Sequence, residues 1–150
     1  MSTSNAFETS LITLLFQNTN IANIGDATGL RGATTVGSLY VGLHTADPGE
    51  AGTQATSEAT YTGYARVAVA RTSGGWTITS PGGVGTVANA AAITFPACTA
   101  GSNTLTFFSI GTTASGATDL LLSGALTASL AVSNGITPSF AIGALTTTVD

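Results

Sequence analysis

The stretch LYVGLHTADPGE at Leu39–Glu50 combines a strand pattern with a strong turn signal. Apolar residues alternate with others from Leu39 to Leu43, and this two-residue period is typical of a half-buried β-strand. The tetrapeptide DPGE at 47–50 predicts a type II turn, because proline presets φ at its second position and glycine tolerates the positive φ of its third. We therefore expect a core strand, a sharp turn and an exposed loop over 51–60.

Short segments with the same strand period follow, separated by turns rich in glycine and asparagine. They are Tyr64–Arg71, Trp76–Ile78, Thr86–Phe95, Asn103–Ile110, Leu120–Leu126, Leu130–Val132, Ile136–Ile142 and Leu145–Val149. Strands do not alternate with helical patterns, so a parallel sheet is not indicated. The pattern predicts an all-β fold, an antiparallel and jelly-roll-like β-sandwich of about seven to nine strands with an N-terminal α-helix.

The N-terminal α-helix is predicted over Ala6–Gln17. Asn5 is the expected N-cap, and Glu8, three residues later, fits a capping box. Apolar residues at helical spacing form one stripe, at Phe7, Leu11, Leu14 and Leu15. Two interpretations stay open: the stripe packs on the strands of its own chain, or it docks on a neighbouring subunit.

Residues 18–38 predict a long loop, across which Asp26 and Arg31 could form an ion pair. Loops of this length in a compact domain usually have a functional or interfacial role. The expected organisation is a helix and arm over 1–38 and a β-sandwich over 39–150, together one globular domain.

The composition of the chain bounds its partners. Charged residues make up only 7% of it, against roughly 25% in an average domain, and lysine is absent. With three arginines and a formal net charge of −4, the chain lacks the basic stripe that a nucleic-acid partner requires. The mean hydropathy of +0.41 comes from dispersed small residues, and no run approaches the ~20 apolar residues that span a bilayer. We expect no nucleic-acid or membrane partner, and the weakly charged surface suits packing against other proteins.

His44, the only histidine, is the one candidate for a catalytic base. A nucleophilic triad would need Asp47 to orient the imidazole, but no serine lies in a G-x-S-x-G elbow. The acidic residues of 47–58 lack the spacing of a calcium loop, and the lone Cys98 is too far from His44 for a zinc pattern. The sequence therefore predicts no enzyme activity, no metal site and no cofactor.

Aromatic and basic residues are the remaining candidates for binding. The aromatic side chains that could stack on sugars are Tyr40, Tyr61, Tyr64 and Trp76, but we favour core or interface packing for them. Because cations are so few, Arg66 and Arg71 are each expected to pair with an acid, and Glu58 is the local candidate. The residues predicted at protein–protein interfaces are Phe7, Leu11, Leu14, Arg31, Tyr61 and Tyr64.

Three runs of sequence cover most of the chain with recognisable motifs. They are LHTADPGEAGTQATSEATYTGYARVAVART (Leu43–Thr72), ITFPACTAGSNTLTFFSIGTTASG (Ile93–Gly116) and SGALTASLAVSNGITPSFAIGALT (Ser123–Thr146). These runs resemble a family of small tailed-bacteriophage virion proteins, whose members are often labelled tail fibre proteins and are related to head-decoration modules. The resemblance implies a β-sandwich structural module without enzymatic activity, located in the virion and assembled in the host cytoplasm.

A capsid decoration or cement protein is the function that we favour within that family. A compact β-sandwich with a helix and the 18–38 loop could bridge capsid subunits, whereas the chain has no long repeat or coiled coil for a fibre shaft. The alternative is a tail-associated or tail-fibre protein involved in host attachment, with a carbohydrate-binding module as a further option. The expected partners are other virion proteins, either the major capsid protein or tail components, and copies of the chain in a homo-oligomer.

Overall fold

The computed structural model describes residues 3–25, 29–80 and 84–149. The elements in these ranges are α1 (Asn5–Gln17), β1 (Ser38–His44), β2 (Val67–Ala70), β3 (Trp76–Thr79), β4 (Gly85–Asn89), β5 (Ile93–Thr94), β6 (Asn103–Gly111), β7 (Leu120–Val132), β8 (Ser139–Phe140) and β9 (Thr146–Val149). The strand pairs with a defined register are antiparallel. The predicted all-β, antiparallel fold with an N-terminal helix is confirmed. In the described ranges, no helix is long and apolar enough to cross a membrane.

The strands form a four-stranded sheet in the order β2-β1-β6-β7, a three-stranded sheet in the order β3-β4-β9, and the pair β5-β8. The chain divides into two compact units. Unit 1 is Met1–Ser38, Ala70–Ala92 and Phe140–Asp150, and unit 2 is Leu39–Val69 and Ile93–Ser139. The predicted organisation into 1–38 and 39–150 stays a prediction.

The N-terminus of α1, in unit 1, differs from the prediction. Ser4 is the N-cap: its backbone is extended and its Oγ accepts a hydrogen bond from Phe7 N at 3.3 Å. The assignment of this role to Asn5 was wrong, because serine and asparagine cap equally well and the sequence does not separate two neighbouring caps. Glu8 is therefore not a capping-box residue. Its buried carboxylate accepts a hydrogen bond from the Thr3 hydroxyl.

The face of α1 that packs inside unit 1 is not the predicted stripe. The helix contacts β3 and β4 and buries Ile12 and Phe16. The Phe16 ring meets Trp76 edge-to-face, with 4.9 Å between the ring centroids. Phe7 and Leu11, by contrast, are 40% and 38% exposed. Because α1 is apolar on two faces, residue spacing could not identify which face the sheet would cover.

Arg71 holds the C-terminal end of α1. Its Nε and Nη2 donate hydrogen bonds of 2.6 and 2.7 Å to the carbonyl oxygens of Leu15 and Leu14. These carbonyls lack partners within the helix and carry the negative end of its dipole, so a guanidinium is favourable there. The predicted helix end at Gln17 is confirmed. The structure gives Arg71 helix carbonyls as partners instead of the expected acid.

The loop after α1 is closed by a side chain. Asn18 Oδ1 accepts a 2.6 Å hydrogen bond from Ala33 N, and Asn18 Nδ2 donates to Ala33 O at 2.8 Å. The Asn18 side chain thereby pairs with the backbone N–H and C=O of Ala33, as a neighbouring strand would, and fixes residue 33 next to the end of the helix. Asp26, which the sequence suggests as an ion-pair partner for Arg31, lies outside the described residues.

Unit 2 is built on β1, the strand predicted from Leu39–Glu50. This strand lies between β2 and β6 and places Val41 directly opposite Ile110. The alternating apolar residues of its first half are buried, as their period predicts. Gly49 has the positive φ, 69°, that was expected in the turn after the strand.

Other strands differ in length from their predictions. Tyr64–Arg71 is shortened to β2, Thr86–Phe95 is divided into β4 and β5, the two segments of Leu120–Val132 are joined as β7, and Ile136–Ile142 is reduced to β8. Asn89 stops β4, because its Nδ2 donates to Ala91 O and its Oδ1 accepts from Leu145 N. Pro138, which has no N–H to donate, precedes the short β8.

The pairing of β7 with β6 is interrupted twice. Leu130 lies opposite Leu105 and Ala125 lies opposite Phe107, so residues 126–129 bulge out of the ladder. A second register shift lies nearer the start of β7. Long as it is, β7 is not a straight, regular strand.

Replacing Phe16 with alanine should destabilise unit 1 by about 3–5 kcal/mol, because the change empties a fully buried site beside Trp76. Phe7→Ala is the matched control on the same helix and should cost about 1 kcal/mol or less. Urea unfolding followed by the fluorescence of Trp76, the only tryptophan, measures both. Equal losses in the two variants would contradict the assignment of the buried face.

Candidate functional site

His44 ends β1 with its imidazole inside unit 2. Nδ1 lies 2.8 Å from the carbonyl oxygen of Thr56, and Nε2 lies 2.7 Å from Ser109 Oγ. A carbonyl oxygen can only accept, so Nδ1 carries the hydrogen, and Nε2 of the neutral ring accepts from the Ser109 hydroxyl. Both side chains are fully buried. The pair ties β1 to β6 and to the chain segment before Glu58.

Burial is the largest influence on the pKa of His44 and lowers it below its ordinary value of 6.5. The hydrogen bond to Thr56 O and the negative charge of Glu58 act against this shift, while the positive charge of Arg66 adds to it. The net direction is downward, so the imidazole is neutral at pH 7.

The His44–Ser109 pair has the hydrogen bond of a nucleophile and its base but lacks access for a substrate. Asp47, the expected orienting acid, instead accepts a 2.9 Å hydrogen bond from Gly49 N within the turn. The carbonyl of Thr56 takes the place at Nδ1 that an orienting carboxylate would occupy. Ser109 Oγ has no path to solvent in this conformation, because the residue is 0% exposed.

Glu58 and Arg66 form the ion pair that the scarcity of charge predicts. Arg66 donates through Nε and Nη2 to the two carboxylate oxygens of Glu58, at 2.6 and 2.7 Å. Its remaining donors reach the carbonyl oxygens of Thr113 and Gly116 at 3.2 and 2.9 Å. The Arg66 side chain is 1% exposed, so these acceptors replace the hydration of its guanidinium.

Tyr64 joins this ion pair to β1. Its Oη donates to Glu58 Oε1 at 3.0 Å and accepts from Leu43 N at 3.0 Å. Burial, the largest cause, raises the pKa of Tyr64, and the carboxylate beside it raises it further. The phenol is therefore neutral and serves as a donor and an acceptor at once.

Gln54 is a fully buried side chain that organises a second loop. Its Oε1 accepts hydrogen bonds from Thr112 N, Thr113 N and Thr118 Oγ1, all at 3.0 or 3.1 Å. Gly111 lies so close that a Cβ atom there would be 2.0 Å from Gln54 Cδ. Only glycine leaves room for the amide at this position.

These buried side chains hold two exposed segments, which we name the 45–57 loop and the 112–118 loop. His44 and Glu58 form the bridge that closes the base of the 45–57 loop. Thr53 forms a further bridge with Asp119, which brings the two loops side by side. All the buried polar residues described in unit 2 take part, namely His44, Gln54, Arg66 and Ser109. We call the set of His44, Gln54, Glu58, Tyr64, Arg66 and Ser109 the polar network.

The residues predicted at interfaces fall into two groups. Tyr61 is buried, with its Oη donating to Pro96 O at 3.0 Å, and Tyr64 belongs to the polar network. Both side chains thus contact their own chain. Phe7, Leu11 and Arg31 are exposed and Leu14 is half-buried. The structure brings Phe7, Leu11 and Leu14 onto one helix and leaves their interface role as a prediction.

Two members of the polar network were missed by the sequence reasoning. Gln54 and Ser109 are uncharged, and their partners lie up to 65 residues away in the chain. The polar setting of Gln54 looks like that of an ordinary surface loop. The pairing of Arg66 with Glu58 did have a signal, because a cation in a chain with so few charges requires a partner.

The most distinctive strings of the sequence, LHTADPGE and GYARV, meet in the polar network through His44, Tyr64 and Arg66. A family model described as Podophage GP4 fiber I protein gp80 matches residues 2–148. The chain belongs to this family of phage fibre proteins. Curated proteins gave no match.

Membership of the gp80 family confirms the resemblance to phage virion structural proteins that the sequence indicated. It makes the chain part of the virion. It also fits the tail-fibre alternative better than the capsid decoration that we favoured, for which the match offers no support. Assembly in the host cytoplasm and a homo-oligomeric state stay predictions.

Glu58→Ala should destabilise unit 2 by roughly 3 kcal/mol, because it leaves the buried guanidinium of Arg66 without its negatively charged partner. Glu50→Ala, which removes an exposed acid from the 45–57 loop, is the control and should change stability by about 0.5 kcal/mol or less. Denaturant unfolding followed by far-UV circular dichroism gives both values. A Glu58→Ala protein as stable as the wild type would show that the ion pair does not support the fold.

Proposed function

We propose that the chain is a non-enzymatic structural subunit of a phage tail fibre, which assembles with other virion proteins through surface on α1. The family match over residues 2–148 carries the fibre part of this proposal. The exposed apolar face of α1 supports the assembly part.

The burial of the one histidine and of the serine beside it supports a non-enzymatic role. The only histidine has both ring nitrogens engaged inside unit 2, and the serine beside it is equally buried. Glu58 and Arg66 are bonded to each other, and Arg66 also donates to the backbone carbonyl of Thr113. Among the described residues, no group of three or more His, Cys, Asp and Glu side chains could hold a metal ion.

The exposed face of α1 has the properties of a protein contact. Phe7 and Leu11 lie one helical turn apart, and Leu14 continues the same line. The helix carries one charged side chain, Glu8, which is buried. An uncharged apolar ridge is more easily covered by another subunit than by water. We assign it to contacts with copies of the chain in a homo-oligomer or with neighbouring tail components.

The placement of the arginines and of the aromatic rings argues against nucleic acid and carbohydrate as partners. Arg66 and Arg71 are engaged within their units, which leaves Arg31 as the exposed arginine of the described chain. This supports the expectation of no nucleic-acid partner. Tyr61 and Trp76 are buried, so neither can stack on a sugar. Host attachment by carbohydrate binding therefore has weaker support than assembly.

Fractionation of virions tests whether the chain is located in the tail. Quantitative mass spectrometry of intact particles, purified tails and tail-less heads should find the chain enriched with the tails. Retention in hundreds of copies on tail-less heads would overturn the fibre proposal and restore the capsid-decoration interpretation.

The double variant Phe7→Asp, Leu11→Asp should be incorporated into virions at least tenfold less than the wild type while Trp76 fluorescence stays native. Ile142→Asp is the control, since it also places a carboxylate on an exposed apolar residue of unit 1, one that is 71% exposed. Incorporation is measured by complementing a phage that lacks the gene. Normal incorporation of the double variant, or equal loss in the control, would contradict a specific role for α1.

A further inference from the structure

A titratable side chain of the polar network, His44, lies at the base of the 45–57 loop. His44 is the first residue of the bridge that closes this loop and Glu58 is the second. Backbone hydrogen bonds lie on both sides of the bridge, from Thr45 N to Ser57 O at 2.8 Å and from Ala59 N to Leu43 O at 2.8 Å. A change at His44 therefore acts where the loop joins the sheet.

The hydrogen bond that the Ser109 hydroxyl donates to His44 requires the neutral imidazole. Nε2 accepts from Ser109 Oγ, whose single hydrogen has this nitrogen as its acceptor. Protonation of Nε2 turns the acceptor into a donor, so the Ser109 hydroxyl must rotate and lose its buried acceptor. The bond from Nδ1 to Thr56 O survives protonation, because Nδ1 already donates it.

The charges around His44 cannot rearrange to receive a second cation. Glu58 is the nearest acid in the network, but both of its oxygens are held by Arg66 and one also by Tyr64. Glu58 and Arg66 together are neutral, so an imidazolium would leave one uncompensated positive charge beside a guanidinium. Asp47, the next acid along the chain, is exposed and bonded within its own turn.

We propose that His44 is an acid-sensitive latch, whose protonation opens the base of the 45–57 loop and releases the 112–118 loop with it. Opening lets the imidazolium reach water. The release is shared because the second loop depends on the first: Thr118 O accepts from Gln54 N at 3.0 Å, and Gln54 Oε1 holds Thr112 and Thr113. The remainder of β1 stays paired with β6 through residues 40–43.

The direction of the pH dependence follows from linkage. Burial lowers the pKa of His44 in the closed state, while in the open state it returns toward 6.5. The open state therefore binds more protons at acid pH, and the closed state loses stability as pH falls below 6.5. One proton is taken up on opening, so the opening equilibrium rises by up to about tenfold for each pH unit.

Hydrogen-exchange mass spectrometry between pH 7.5 and 4.5 tests the latch. After correction for the intrinsic exchange rate, protection in 45–57 and 112–118 should fall by about tenfold or more in the wild type. Protection in β6 and the fluorescence of Trp76, which lies in unit 1, should stay constant. His44→Gln should remove the pH dependence, and Asp119→Asn, which changes another acid next to these loops, should keep it.

Three results would overturn the proposal: unchanged loop protection in the wild type, the same pH dependence in His44→Gln, or loss of Trp76 fluorescence in step with the loops. If His44→Gln does not fold, NMR of the wild type replaces it. The chain has one histidine, so one imidazole signal titrates. Its midpoint should coincide with the shifts of the loop amides, and separate midpoints would exclude the latch.

Discussion

Unit 2 depends on one constraint, which is that a buried guanidinium must have its hydrogens accepted. Arg66 is almost without contact to water, and Glu58 with two loop carbonyls supplies what the solvent cannot. Tyr64 donates a further hydrogen bond to the Glu58 carboxylate. His44, at the end of β1, is bonded to Ser109 of β6. The exposed loops of unit 2 are ordered through this interior. Their small polar residues would not order them alone.

The sequence predicted the parts of the fold that rest on local periodicity. The alternation at Leu39–Leu43 identified a core strand, and the helix end at Gln17 was found. Rules based on neighbouring residues gave wrong predictions where two residues, or two faces of the helix, satisfied them equally well. Ser4 and Asn5 cap equally well, and α1 has two apolar faces, of which packing against Trp76 selects one. Strand lengths were set by ladders between distant segments, as in the fusion of two predicted strands into β7.

In the candidate site, the ion pair could be predicted from the sequence, but the uncharged polar residues buried around it could not. Scarcity of cations predicted an acidic partner for Arg66, and Glu58, eight residues away, was the local candidate. Gln54 and Ser109 gave no such signal, because an uncharged side chain does not need a partner until the fold buries it. The strings LHTADPGE and GYARV thus supply side chains to the interior of unit 2. The contacts that we propose with other virion proteins lie elsewhere, on the exposed face of α1.

The irregular pairing of β7 has a consequence for contacts between copies of the chain. In the described chain β6 is the one strand that pairs with β7, and the sequence 120–132 contains neither charge nor proline. A straight strand of that composition would template stacking of further copies into insoluble fibrils. The bulge at 126–129 breaks this template. Backbone geometry at this edge thus takes the place of the edge charges with which other sheets prevent such pairing, in a chain that has no lysine.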